Sequence, residues 1–485
     1  MFEREDHFIG GRWVSARGSE FLDVVSPSTE EVVGRVPVAT TDEVDAAVAA
    51  ARAAFDDGPW PRLSVAERAE HLRRFVAAVE ARREPALRLQ IDEMGMTHKF
   101  AVENFDGLRP SLERYVADAE KIAFAEVREG VVGKVLVLRE PVGVVAGVTP
   151  WNSPIAVEVS KIFPALLMGC PIVVKPAPES PLSAYLLGEA AIEAGLPEGV
   201  LSIVNGGVPV GAHLVDHPGI DHVTFTGSTG GGHVIAQTCA ARFRGVTLEL
   251  GGKSAAVVLP GTDMTEYVPS LVGGSLRNSG QICVSTNRVI VHEDDRDRVV
   301  QQLVDHISAM KLGDPHEPDT DFGPLAAKRQ LEKVEQFVAS GRAQGAKVVL
   351  GGVRPADRPT GWYFEPTVFV DVDNGMEIAQ EEIFGPVLSV ITYSDEDEAI
   401  AIANDSKYGL GGAVFATDAE EGIRVATRIV TGTVQVNGGP PAGGGGPFAG
   451  RKHSGMGAER AVEGLGAFLE LKSVTLPPGY EPAAV

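Results

Sequence analysis

Polar and apolar residues alternate along this 485-residue chain with two different periods, and the change falls near residue 142. Before it the rhythm is helical. Thr40-x-x-Glu43 and Ser64-x-x-Glu67 are capping boxes, in which a hydroxyl and a carboxylate reciprocally satisfy the free N–H groups of a first helical turn. The first opens an Ala/Val-rich run to Phe55. The second opens a longer run with Leu72, Phe75, Val76 and Val79 at helical spacing. After residue 142, short apolar runs alternate with helical segments and predict strands at 142–148, 171–175, 201–204, 222–226 and 246–250. Ser180-Pro181 reads as an N-cap followed by proline at the first helical position. This β-α-β-α succession predicts a parallel, doubly wound sheet with helices on both faces.

Beyond Gly251 a second α/β pattern runs to about Asn437, and within it 288–292 reads as a short strand. Residues 122–141 hold two apolar stretches separated by Gly130 and Gly133, a hairpin that belongs to neither core. The tail, 468–476, reads as a strand with no evident partner. Exposed edge strands are usually paired or covered, so both segments are expected to meet another subunit or else to cap their own. Residues 438–446, Gly-Gly-Pro-Pro-Ala-Gly-Gly-Gly-Gly, form either a flexible linker or a loop that leaves room for a ligand.

Length and charge narrow the classes of function. Single cores stop growing at about 250–300 residues, and the length corresponds to roughly three domains. With 44% hydrophobic and 22% charged residues the chain has a soluble globular composition. A net charge of −23 repels phosphate backbones and anionic lipid, which argues against nucleic-acid and membrane-surface partners. No uncharged run approaches the ~18–20 apolar residues of a membrane span, and the charged opening lacks the apolar core of a secretory signal. Cys170, Cys239 and Cys283 cannot form a disulfide framework and lack metal-ligand spacing. The chain therefore reads as cytoplasmic and without a metal.

Cys283 lies in Asn278-Ser-Gly-Gln-Ile-Cys-Val-Ser-Thr-Asn-Arg288, among small and polar residues. A structural thiol usually hides among aliphatic side chains, whereas a reactive one needs access and help in reaching its thiolate form. Glu249 sits inside the apolar run Leu248-Glu-Leu250. An unpaired buried carboxylate is costly, so it is either paired or kept with a raised pKa for proton transfer. Asn152, just after the first predicted strand of the sheet, is either an ordinary turn residue or a donor to a developing oxyanion. Lys175 ends a predicted strand, where ligands of open α/β sheets lie, and is either a ribose or phosphate partner or a solvated lysine. Gly227-Ser-Thr-Gly-Gly-Gly232 leads from a strand into a helix. It suits a phosphate at the helix N-terminus or is simply a tight connection, and the G-x-G-x-x-G fingerprint is absent in frame. Glu381-Glu382-Ile-Phe384 pairs carboxylates with an aromatic, suited to a sugar and a flat ring or to a solvated turn.

Pro-Trp-Asn-Ser-Pro (150–154), Val-Val-Lys (173–175), Phe-Thr-Gly-Ser-Thr (225–229), Leu-Glu-Leu-Gly-Gly-Lys-Ser (248–254), Gly-Gln-x-Cys (280–283), Glu-Glu-Ile-Phe-Gly-Pro-Val (381–387) and Pro-Phe-x-Gly-x-Lys-x-Ser-Gly (447–455) occur in this order. Together they resemble the aldehyde dehydrogenase superfamily from about Phe8 to Val474. The resemblance implies an α/β fold with a Rossmann-type parallel-sheet cofactor domain (1–121 and 142–250), a second α/β catalytic domain (251–452) and a small β oligomerisation domain (122–141 and 468–485). It also implies a homodimer or homotetramer and NAD(P)-dependent oxidation of an aldehyde to a carboxylic acid. Carried over, Cys283 is the nucleophile and Asn152 with the Cys283 N–H holds the oxyanion, while Glu249 activates the water that releases the acid. Trp151, Lys175, Glu179, Gly206, Gly227, Ser228, Glu382 and Phe384 fall at the cofactor, and Ser153, Ile282, Val284 and Phe448 at the substrate.

The departures from that pattern shape two further expectations. Many NAD-preferring relatives carry Glu three residues after the Lys175 equivalent, but here Pro178 stands there and Glu179 follows. NAD is therefore expected to be preferred over NADP with weakened discrimination. Ser153 replaces a frequent aromatic, which together with 443–446 implies a roomier entrance and a lean toward bulky or apolar aldehydes. Two alternatives remain within the superfamily, release of the thioester to coenzyme A and a catalytically silent ligand-binding relative. The presence of Glu249, and of the intact Cys283 and Asn152, argues against them.

Overall fold

Both capping boxes close in the structure, a computed structural model that describes residues 1–438 and 445–480. The Glu43 and Glu67 carboxylates accept from the N-cap N–H groups of Thr40 and Ser64 at 2.8 and 2.7 Å. The helices they start are Thr41–Asp56 and Val65–Glu80, and the second buries Leu72, Phe75, Val76 and Val79. That apolar stripe joins helices Leu108–Ala119 and Pro154–Leu167 in a core against one face of an eight-stranded sheet.

Across this sheet the order is Gly455–Met456, Gly245–Glu249, His222–Thr226, Val145–Val148, Ile172–Lys175, Leu201–Ile203, Asp6–Ile9 and Arg12–Ser15. The five central strands are parallel and the flanking ones antiparallel. Successive side chains point to opposite faces. Val145, Ile172 and Val174 thus enter the core already described, while Ala146, Val173 and Val223 pack beneath Val44, Val48 and Ala51 of the first helix. The chain builds outward from Val145–Val148 in one direction and then in the other. Such a switch in strand order opens a crevice at the carboxyl ends of the strands.

A second sheet, in the order Lys347–Leu350, Thr367–Val370, Val387–Tyr393, Arg288–His292, Ala255–Val258, Gly412–Phe415 and Gln435–Val436, is parallel except at its first strand. It has cores on both faces.

Three local expectations are corrected. The strand predicted from residue 142 begins at Val145, because the Val144 N–H is taken by the Asp221 carboxylate at 2.8 Å. Ser180-Pro181 does not start a helix. The next helix is Ala184–Glu193, and the N–H groups of Leu182 and Ser183 donate to the distant Glu93 carboxylate at 2.6 and 3.2 Å. The tail does have a partner in its own chain. Leu469–Thr475 pairs antiparallel with Gly133–Pro141, which pairs with Ala125–Gly130. Strand pairing over more than three hundred residues leaves no local signal, which is why the pattern showed only an unmatched strand. Among the described residues no helix is long and apolar enough to cross a membrane.

Candidate active site

Cys283 is half-buried in a segment that follows three successive left-handed residues, Asn278 (φ 53°), Ser279 (φ 55°) and Gly280 (φ 72°). Such a run is costly for side chains other than glycine and persists only when its surroundings hold it. The holding bonds are specific. Ser279 Oγ donates to the Gly323 carbonyl at 2.8 Å, Gln281 Nε2 to the Asn278 carbonyl at 3.0 Å, and the Ala326 N–H to Gln281 Oε1 at 3.0 Å. Two glycines give the segment passage. A Cβ on Gly280 would lie 2.1 Å from the Gly385 carbonyl oxygen, and one on Gly252 would lie 2.5 Å from that of Cys283.

The crevice at the end of Val145–Val148 brings Asn152 to this segment. Its amide donates to the Gln281 carbonyl at 2.9 Å, while the Asn278 amide donates to the Asn152 backbone carbonyl at 3.1 Å. An amide NH₂ has two donors, so one N–H fixes Asn152 to the segment two residues before Cys283 and the other is not used by that bond. Burial, together with the neighbouring Glu249 and Glu382, pushes the Cys283 thiol up to about 12, against which the Val284 N–H and Arg460 act. The thiol is therefore the resting form, and its ionisation depends on added positive charge or a proton acceptor.

Glu249 ends its strand 2% exposed, and neither carboxylate oxygen has a hydrogen-bond partner among the described residues. Of pairing and a raised pKa, the structure shows the second. Burial first, then Glu459, raises Glu249 to about 9, opposed by Lys161 and Arg460. Lys161 and Glu459 form a buried ion pair, and Lys161 also donates to Thr226 Oγ1 at 2.6 Å. Sequence reasoning missed both. The available signal was a lysine directly before the apolar stretch 162–167. Gln281 and Asn278 were missed as well, although both flank Cys283 in the quoted segment.

The residues expected at a dinucleotide end or follow strands of the first sheet (Trp151, Lys175, Glu179, Gly206, Gly227 and Ser228) or precede a strand of the second (Glu382 and Phe384). Lys175 is buried at its strand end and donates to the carbonyls of Pro176 (2.6 Å) and Gly206 (3.0 Å), and burial brings it down to about 8. Gly206 admits no side chain, since a Cβ would meet Val210 at 2.3 Å. Gly227 and Ser228 open helix Thr229–Ala241, whose Ser228 Oγ accepts from the Gly231 N–H at 3.2 Å. That N-terminus, with its glycines, suits a pyrophosphate. Glu382 accepts from the Gly252 N–H at 3.1 Å. Burial raises its pKa, and Lys333 and Lys253 counteract it. Phe384 holds a left-handed conformation (φ 59°), with Gln330 donating to its carbonyl at 2.7 Å, and its ring meets that of Trp151 edge-on at 5.3 Å. Glu179 turns to Arg329, at 2.5 Å. The donor set fits a dinucleotide: a cation at one end, free helix N–H groups in the middle, and a carboxylate with an aromatic at the other.

Beyond Asn152, Ser153 is buried at the start of helix Pro154–Leu167. That helix and Leu108–Ala119 enclose a cavity of about 460 Å³ lined by Leu108, Pro110, Tyr115, Val159 and Arg460 among others. Ile282 packs against the first core, and Val284 lies where a Cβ on Gly411 would touch it at 3.4 Å. Phe448 exchanges two 2.7 Å backbone bonds with Glu459, and the Arg460 guanidinium covers its ring at 5.1 Å. The stretch 443–446 lies in part outside the described residues. No group of His, Cys, Asp and Glu able to hold a metal ion occurs among the described residues.

Comparison with known proteins agrees with this arrangement. The sequence profile described as "Aldehyde dehydrogenase family" matches residues 13–474. Geranial dehydrogenase from Castellaniella defragrans is 45% identical over 97% of this chain and 98% of its own length. The chloroplastic betaine aldehyde dehydrogenase of Beta vulgaris is 37% identical over 98% and 97%. Among solved structures, a Mycobacterium tuberculosis aldehyde dehydrogenase complexed with NAD+ superposes with a TM-score of 0.97 at 43% identity, covering 99% of this chain and 100% of that one. An aldehyde dehydrogenase C mutant from Pseudomonas syringae, complexed with NAD+ and octanal, gives 0.92 at 38% identity, covering 99% and 98%.

Proposed function

The chain belongs to the aldehyde dehydrogenase family, and from that premise we propose that Cys283, Asn152 and Glu249 carry out its oxidation of an aldehyde to a carboxylic acid. The observation that carries this reading is the junction of Asn152 with the Cys283 segment, near a buried carboxylate, Glu249, that has no hydrogen-bond partner among the described residues. The Cys283 thiolate adds to the carbonyl carbon, forming a C–S bond and placing the electron pair on oxygen. The free Asn152 N–H and the Cys283 backbone N–H hold that oxyanion. Collapse of the oxyanion re-forms the C=O bond and expels a hydride (a proton with two electrons), for which NAD, when bound, would supply the acceptor. A thioester on Cys283 remains. Glu249 in its carboxylate form takes a proton from water, the resulting hydroxide adds to the thioester, and the C–S bond breaks to return the thiolate and release the acid.

Electrostatics set the timing of that last step. Burial first, and then Glu459, keep Glu249 protonated toward high pH while Lys161 draws it back, so the ion pair tunes the general base. Lys175, Gly206, Gly227 and Ser228 would hold the adenosine and pyrophosphate parts of NAD, with Trp151, Glu382 and Phe384 at the nicotinamide end. Residues 1–121 and 142–250 are assigned to cofactor binding and 251–452 to catalysis.

The cavity lined by Leu108, Pro110, Tyr115 and Val159, but also by Arg114, Asp118 and Arg460, supports bulky or apolar aldehydes as substrates, and Ser153, Ile282, Val284 and Phe448 are assigned to the substrate. Relatives named for geranial and crystallised with octanal point the same way. The small sheet of 122–141 and the tail supports assembly as a homodimer or homotetramer, since Val131 and Val132 are fully exposed and Leu471 is 69% exposed. The cytoplasm is the fitting compartment, because it keeps a thiol nucleophile reduced. The test is a panel of alkyl, terpenoid and small polar aldehydes with NAD and with NADP, with and without coenzyme A. The expected product is free acid with the reduced cofactor, fastest for the apolar aldehydes. An acyl-coenzyme A product, or no reduced cofactor with any aldehyde, would contradict the assignment.

A further inference from the structure

We propose that Arg329 helps this protein choose between NAD and NADP, an inference that rests on the cofactor reading above. Pro178 leaves no carboxylate three residues after Lys175, and the next residue, Glu179, ion-pairs with Arg329 at 2.5 Å. Glu179 lies in the loop leaving the strand Ile172–Lys175, whereas Arg329 lies in the first turn of helix Lys328–Ala343, which packs on the second sheet. The pair thus bridges the two halves of the molecule beside the Lys175 end of the crevice. It is close enough that the Glu179 charge acts on the Lys175 ammonium.

The two partners differ in their access to solvent. The Glu179 side chain is 19% exposed and that of Arg329 60% exposed, so much of the guanidinium stays open while Glu179 is engaged. A carboxylate near the adenosine ribose accepts from its hydroxyls and repels a 2′-phosphate. Here that repulsion is neutralised by a planar fork that itself matches phosphate oxygens. An ion pair this open to solvent is cheap to exchange for another. A 2′-phosphate and Glu179 therefore compete for one guanidinium, and their competition sets how strongly the protein discriminates between the cofactors.

The two ends of the pair then act with opposite sign. Glu179→Gln removes the competitor and the repelling charge, so preference moves toward the 2′-phosphate. Arg329→Gln removes the fork and leaves Glu179 unneutralised, so preference moves away from it. Isothermal titration of the full chain with 5′-AMP and with adenosine 2′,5′-bisphosphate gives the ratio of the two Kd values directly, without turnover. Glu179→Gln is expected to favour the bisphosphate by about threefold or more and Arg329→Gln to disfavour it by about as much, the range of an exposed charged contact. Smaller shifts, or shifts in the same direction, overturn the proposal. If the unsubstituted protein binds neither nucleotide, the cofactor reading fails as well. If it binds 5′-AMP but the shifts are not opposed, only the Arg329 assignment fails.

Discussion

Asn152, from the loop after one sheet, donates its side-chain amide at 2.9 Å to the carbonyl of Gln281, two residues before Cys283 in a segment leading to the other. With the Asn278 amide donating back to the Asn152 carbonyl at 3.1 Å, two hydrogen bonds join these segments next to Cys283 in the chain. The bond to Gln281 uses one of the two Asn152 amide N–H groups, and the other is the donor proposed for the oxyanion.

Asn152→Ala should lower kcat by ~10²–10³-fold, the usual loss of an oxyanion donor. Titration with NAD should show near-normal binding. A kcat within about fivefold of the parent would mean that oxyanion stabilisation comes from elsewhere.

Cys283→Ala should abolish aldehyde oxidation while the protein still folds and binds NAD. Cys239→Ala should stay active, because Cys239 is a fully buried thiol of helix Thr229–Ala241 and no part of the site. Reduced-cofactor absorbance with saturating aldehyde distinguishes the two. Turnover by Cys283→Ala at even a few per cent of the parent rate would require another nucleophile.

The pH dependence of acid release should follow the neighbours of Glu249. With its carboxylate form as the proposed base and its pKa raised to about 9, the rate should rise with pH through that region. Lys161→Met removes the charge that favours the carboxylate and should move this limb to higher pH. Glu459→Gln removes the charge that opposes it and should move the limb to lower pH. Single-turnover acyl release measured from about pH 7 to about pH 11, roughly two units either side of the raised pKa, reads both. Shifts of the same sign would remove the pair from any role in tuning Glu249.

Gly252→Ala should disturb the nucleophile more than the fold. The added Cβ would lie 2.5 Å from the Cys283 carbonyl oxygen, so the segment must move. A stability loss of about 1–3 kcal/mol in urea melts should accompany a much larger fall in kcat. Unchanged kcat would show that the position of this segment is not critical.

Much of this site was legible before any coordinates, and the exceptions share a cause. The strands ending at Lys175, Thr226 and Glu249 follow from short apolar runs, and their carboxyl ends mark the crevice by topology alone. Glu249 stood out because a carboxylate in an apolar strand must be explained. Hidden from the sequence were contacts between distant segments. Glu93 accepts from the N–H groups just before a helix some ninety residues away, the tail pairs with 133–141, and Glu459 reaches Lys161 across almost three hundred residues. Periodicity and capping patterns report on neighbours a turn or two apart, so they carry no trace of such partners. Arg329 belongs with these. Glu179 was marked by its neighbour Pro178, but nothing local named the residue it would meet.

The central claim is that one residue forms the thioester and another releases it, and Glu249→Gln separates the two most directly. The substitution keeps size and shape while removing the base, so addition of Cys283 and hydride transfer should proceed once. Rapid mixing with NAD and an apolar aldehyde should give a burst of about one reduced cofactor per active site, followed by a stall, with the acyl mass found on Cys283 by mass spectrometry. Steady turnover within about fivefold of the parent, with no acylated Cys283, would contradict the account.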